Sequence, residues 1–320
     1  DLAALRAVFD RIAIASGGAQ FAGIGAAGVE EGISLSLASD KTDMATVIRL
    51  WPDWVAPNAR DWVLEHVTRA GLSNLDLQLS LPPARLEALR DDAPLIDSDL
   101  SFRTGFSNLG ADYHRTLPPL KSASGHLAIA GDRLEAVAEK AALEPPGAEP
   151  VSVRDLSLTI AKMSAEPAQA AISARLSGSA AAVAALADSD PVNAIRPLGL
   201  KPGDLAGDAA VRISGTVPLK EGSKVKTWQV AASLSKLTAK RPLLGHTISD
   251  GHFEVNAAPK QVTAKGRAQF DGFAARFDLA EPINGAATSL RHRDIRLSVS
   301  AADLAKQDIN LAPVVRGRKG

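Results

Sequence analysis

Three residue patterns in this chain have the types and spacing to do chemistry: a glycine run, a scatter of histidines and two pairs of carboxylates. In "FAGIGAAGVEEG" (21–32), Gly23, Gly25 and Gly28 spell G-x-G-x-x-G. That turn cradles a pyrophosphate only where a strand enters it and a helix starts at the last glycine. Here Gly32 falls where the first helical turn should be, and Glu30 and Glu31 would repel a phosphate. Ile33, Leu35 and Leu37 then alternate with serines, the period of a half-buried strand. The run therefore predicts a glycine-rich bend between strands, not a nucleotide site.

The six histidines are His66, His114, His126, His246, His252 and His292. None pairs with another at metal-ligand spacing, and no H-E-x-x-H occurs. His66 lies on the apolar face of a predicted helix, as a satisfied core histidine does. His126 and His252 each follow a glycine at a strand start and predict turn roles. Of the carboxylate pairs, Asp91/Asp92 and Asp97/Asp99, the second could share a strand face as a glycosidase pair must. Pro94 and a polar strand bracket it, which predicts a solvated loop instead. No G-x-S-x-G and no Walker loop appears. The expectation is a protein that is not an enzyme, with no catalytic residue, no metal and no cofactor.

The elements that would have to position any such residue are mostly strands. The chain has 320 residues, 46% hydrophobic and 22% charged, a balance that folds. Its 36 basic and 36 acidic residues cancel, which argues against a nucleic-acid partner. Cysteine is absent, so disulfides, thiolate metal sites and cysteine nucleophiles are excluded. Aromatics make up 4%, leaving Ala, Leu, Val and Ile to build the core. No stretch reads as a membrane-spanning helix, and no signal segment opens the chain. The expectation is that residues 1–320 are a single elongated fragment of a longer protein.

Alternation recurs along the chain. "SNLDLQLSL" (73–81) sets Leu75, Leu77, Leu79 and Leu81 on one face, and "VRDLSLTI" (153–160) does the same with Leu156, Leu158 and Ile160. "GDAAVRISG" offers Val211 and Ile213, and "TWQVAASL" offers Trp228, Val230, Ala232 and Leu234. Many short alternating segments between turn signals predict a mainly β protein, a long antiparallel sheet with a few short helices. The clearest helix is predicted over 58–70, capped by Asn58, burying Trp62, Val63 and Val67, and ended by Gly71. Shorter helices are predicted at 83–90 and 179–187. "LEALRDDAPL" (86–95) and "VAALADSDPV" (183–192) share a pattern, and similar strands follow each. This suggests a unit used twice, over about 33–135 and 150–300.

In the last strands, "GHFEVNAAPKQVTAKGRAQFDGFAARFDL" places Phe253, Val255, Val262, Phe270, Phe273, Phe277 and Leu279 on one side. Glu254, Lys265, Arg267, Gln269, Arg276 and Asp278 fall mostly on the other, with Asp271 and Gly272 as a turn.

The stretch "RLWPDWVAPNARDWVLEHVTRAGLSNLDLQL" (49–79) resembles the AsmA-like superfamily, in particular the YhdP/TamB-related group of Gram-negative envelope proteins. Trp51, Pro52, Trp62 and Gly71 occupy the places of its Leu-Trp-Pro, helix and strand-start pattern. "YHRTLPPLKSASGHLAIAGDRL" (113–134), "ISARLSGSAAAVAALADSDP" (172–191), "GDAAVRISGTVPL" (207–219) and "LSKLTAKRPLLGHTISDGHFEV" (234–255) resemble the same group. The resemblance implies a repeating β-groove, a twisted antiparallel sheet curled into a gutter. Phospholipid tails would pass along its apolar concave face between the inner and outer membranes. It implies a periplasmic protein held at the inner membrane by a segment outside this chain, with phospholipids, both membranes and other envelope proteins as partners. The lipid-contacting wall would be the Phe253–Leu279 side together with Val211, Ile213, Trp228 and Val230. There Phe277→Asp should stop transfer and leave the fold mostly intact. The alternative is a scaffold of the envelope, its sheet sealed by its own residues, which Phe277→Asp would unfold.

Overall fold

In the computed structural model the described residues are 6–16, 18–51, 53, 57–190, 201–220, 222–223, 225–240, 246–283 and 291–299. They form fifteen strands in one meander order, β1 to β15, with four short α-helices. Before the first long connection come β1 (Arg6–Ser16), β2 (Ala19–Gly28) and β3 (Gly32–Asp43), then helices α1 (Met44–Leu50) and α2 (Pro57–His66). Next are β4 (Val67–Leu81), α3 (Pro83–Arg90), β5 (Leu100–Ala111), β6 (Leu120–Ala130), β7 (Arg133–Leu143) and β8 (Val151–Ile160). The rest comprises β9 (Gln169–Ser179), α4 (Ala180–Ala187), β10 (Leu205–Pro218), β11 (Thr227–Ala239), β12 (Ile248–Ala258), β13 (Gln261–Phe270), β14 (Phe273–Pro282) and β15 (His292–Ser298). The chain divides into two compact units, Asp1–Leu176 with Ile213–Trp228, and Ser177–Arg212 with Gln229–Gly320.

Within the first unit every described pairing from β1 to β8 is antiparallel. Phe21 lies opposite Ile14, and Leu77 lies between Leu37 and Phe102 on one face. With Ala19, Leu75 and Val47 of α1 these residues form a core cluster. Helix α1 carries no signal used above, yet its start is written in the sequence. Asp43 caps it, accepting the Thr46 N–H at 2.7 Å. Those hydrogen bonds hold the Asp43 carboxyl below the usual carboxylate range.

The glycine run lies inside the sheet. Gly23 and Gly25 are interior to β2, where a Cβ at Gly23 would sit 2.1 Å from the Ser36 carbonyl oxygen. Only Gly28 to Gly32 is a bend, with Gly32 at φ +78°. No helix follows, so the dinucleotide geometry is missing.

The helix predicted over 58–70 is shorter. It starts at Pro57, which places Asn58 in the first turn rather than at the cap, and stops at His66. Val67 to Ala70 join β4 instead, pairing with β5 as Val67↔Ala111 and Arg69↔Gly110. The β-branched Val67 and Thr68 favour that outcome, and the His66 carbonyl accepts the Asp112 N–H at 2.8 Å. Gly71 is a strand residue opposite Ser107. Trp62 is 48% exposed rather than packed on the sheet, its ring against His66 at 5.0 Å. Trp62→Ala is therefore expected to cost about 1 kcal/mol or less, against about 3–5 for a buried tryptophan, as read by urea unfolding. Helices α3 and α4 match their predicted spans, and Ser179 caps α4 through the Ala182 N–H.

Several strands carry a bulge at a non-glycine residue with positive φ. Asn74 in β4, Asn108 in β5, Ser122 in β6, Lys236 in β11 and Asp250 in β12 lie at φ 49–52° where the pairing register shifts. Asn and Asp tolerate this conformation best, and each bulge bends its strand and raises the local twist.

Candidate functional site

The second unit gathers most of the predicted face. Register sets Phe253 opposite Gly266 and Gly266 opposite Phe277; Val255 is opposite Ala264 and Ala264 opposite Leu279. Phe270 pairs with Phe273 across the Asp271–Gly272 turn, where both residues have positive φ as a two-residue hairpin turn needs. Because opposite residues share a face, Phe253, Val255, Val262, Phe270, Phe273, Phe277 and Leu279 all point the same way. Val230 joins them through Ala257. Val211 is buried in β10, and Ile213 and Trp228 belong to the first unit, so the candidate face is Val230 with β12–β14.

A bulge keeps this face continuous. The β12 bulge at Asp250 returns Ile248 to the same side as Phe253, opposite Phe270. The Phe277 ring lies 5.4 Å from Phe253 and 5.8 Å from Phe270. Gly266 makes this possible, since a Cβ there would come within 2.5 Å of the Phe253 ring. Ile248, Ala268, Ala275 and Phe277 form a buried cluster, with Phe253, Phe270 and Leu279 packed against it.

That cluster encloses one residue of the expected wall. Phe277 is 5% exposed, closed off by its own neighbours rather than open along a groove. Phe253, Phe270, Phe273 and Leu279 are half-buried, and beyond them Ile295 and Leu297 of β15 extend the face, 46% and 48% exposed. Sequence reading assigned no role to Ile248, Gly266, Ala268 or Ala275. Alanine and glycine give no hydrophobic signal, and the side Ile248 faces depends on the bulge.

The polar candidates lie elsewhere. Asp99 is 1% exposed, not part of a solvated loop. Arg85 of α3 clasps both its oxygens at 2.6–3.0 Å, and the Asp99 carboxylate also accepts the Ile96 N–H. It ties α3 to the start of β5. Hydrogen bonds from Arg85, opposed by burial, hold its carboxyl below the usual range and push the Arg85 guanidinium up. His66 Nδ1 is 2.7 Å from the Asp112 carbonyl oxygen, and His246 Nδ1 is 2.7 Å from Asp271 Oδ2. Asp271 also accepts the Thr247 N–H, and these bonds keep its carboxyl low. Among the described residues no three His, Asp or Glu side chains could hold a metal ion, and no helix is long and apolar enough to cross a membrane. No protein-family model, no curated protein and no solved structure matches the chain.

Proposed function

We propose that the apolar sheet face of this chain carries acyl chains, in the manner of the lipid-transfer proteins that its sequence resembles. The supporting observation is one continuous side across β11 to β15, from Val230 and Leu234 through Phe253, Val255, Phe273 and Leu279 to Ile295 and Leu297. The residues that pack on one another there are all strand residues, so among the described residues no helix roofs the cluster. An apolar face of this extent needs a cover. Each CH₂ withdrawn from water is worth about 0.8 kcal/mol, so a palmitoyl-length chain gains on the order of 12 kcal/mol from a continuous apolar rail. On this reading the sheet curls around the tails into a gutter, the ligands are phospholipids, and the setting is the space between the two membranes of a Gram-negative envelope.

The closed packing around Phe277 favours a second reading, a β-rich envelope scaffold whose face is sealed by its own side chains. Photo-crosslinkers separate the two. Placed at Phe273, on the apolar side, the probe should yield lipid adducts in cells; at its neighbour Ala274, on the opposite side, it should not. Equal labelling at both positions, or none at Phe273 together with no lipid in native mass spectra, ends the lipid reading.

A further inference from the structure

The face opposite Phe277 holds a feature that acyl chains do not explain. Across β12 to β15 the register aligns His252, Arg267, Arg276 and Arg296 in one row, each directly opposite the next. The adjoining row is Glu254, Lys265, Asp278 and Asp294. Its acids are already engaged: Asp278 with Lys265 at 3.0 Å, Asp294 with Arg296 at 2.7 Å, and Glu254 with the Ser233 hydroxyl at 2.8 Å. Arg267 and Arg276 have no ion pair among the described residues. Both rows line a depression of about 640 Å³.

Like charges directly opposite on neighbouring strands destabilise the pairing, and here Arg267, Arg276 and Arg296 follow one another with His252 beside Arg267. Directly opposite residues have Cβ atoms about 5 Å apart, so two guanidinium forks can close on one small anion. A carboxylate is flat and singly charged and is satisfied by one fork. A phosphoryl group offers three or more oxygens and a charge near −2, which suits two. We propose that Arg267 and Arg276 form a binding site for a phosphoryl group, with His252 and Arg296 at its ends. Free phosphate esters and lipid headgroups share this chemistry. The site is on the side away from the acyl-carrying face, so it stands or falls separately from that reading.

Isothermal titration of the whole chain with inorganic phosphate at low ionic strength tests it. Saturable binding is expected, weakened about tenfold or more by Arg267→Gln and by Arg276→Gln. Arg175→Gln, at an exposed arginine of the other unit that pairs with Asp155, should leave it unchanged. In phosphate-free buffer the Arg267→Gln and Arg276→Gln chains should melt no lower than the parent, because the like-charge contact is relieved; a purely structural role would lower both. Cosedimentation with phosphatidylcholine vesicles, with and without phosphatidic acid, identifies the source. Capture that needs phosphatidic acid and is lost in Arg276→Gln assigns a headgroup, and phosphate binding without capture assigns a soluble ester. If neither probe binds the parent, or both bind the variants equally, the site does not exist.

Discussion

Phe277→Asp is expected to unfold the β12–β14 region of the chain. The ring is 5% exposed and touches Phe253 and Phe270. Removing a buried phenylalanine costs about 3–5 kcal/mol through lost transfer energy and the cavity left behind. The aspartate adds an ionised group with no partner in an apolar cluster, which raises the loss further. A marginally stable β-sheet does not survive both terms. Circular dichroism and proteolysis near β13 would report it. Phe277→Leu separates shape from polarity, and should lose only a fraction of the stability lost by the aspartate variant. A well-folded Phe277→Asp chain would instead show that the side chain can turn outward, and would return the position to an open groove wall.

Asp99→Asn should lower stability by about 2–3 kcal/mol, because a charge-assisted bidentate contact is replaced by a weaker amide in a site with 1% exposure. Arg85→Met should lose more, since it leaves the carboxylate buried without its cation. The pH dependence follows from the direction of the shift. The folded Asp99 carboxyl is held below the unfolded value of about 3.9. Its contribution is therefore fully present above about pH 4–5, and is lost as pH falls through the folded pKa. In Arg85→Met the sign reverses: without the guanidinium, burial raises the carboxyl, and the variant's deficit should shrink on acidification as Asp99 takes up a proton. Denaturant melts at pH 7 and pH 4 check both. A deficit in Arg85→Met that is equal at the two pH values would show that the carboxylate reaches water once its partner is gone.

Much of the sheet was legible because a half-buried strand writes its period directly into the sequence. Leu75, Leu77, Leu79 and Leu81 alternate over 73–81, and β4 carries them. The Phe270–Phe273 hairpin was equally plain, since Asp-Gly between apolar runs matches the turn that the strand twist demands. What failed was decided by partners distant in sequence. The 58–70 segment has a helical pattern throughout, but β5 competes for its last residues and the sheet wins from Val67 on. Asp99 looked solvated because its cation lies fourteen residues upstream on a helix. Bulges hide for a similar reason. A left-handed residue such as Asn74 or Asp250 resembles any polar position in the strand, yet it decides which face every later side chain takes.

The meander order has a consequence for how the molecule comes apart. Within each unit the described strands pair with their nearest neighbours in sequence, and the order has two ends, β1 and β15. Such a unit is connected like a one-dimensional array. Its stability is a sum of strand terms and nearest-neighbour interfaces, with little to couple remote segments. Most contacts join strands adjacent in sequence, so folding can begin at several hairpins independently. Opening then proceeds by fraying from the ends: amide protection should be lowest in β1 and β15 and highest toward the middle of each unit, with no single free energy of unfolding for the whole. A sheet that loosens strand by strand can admit a guest along its length without first melting.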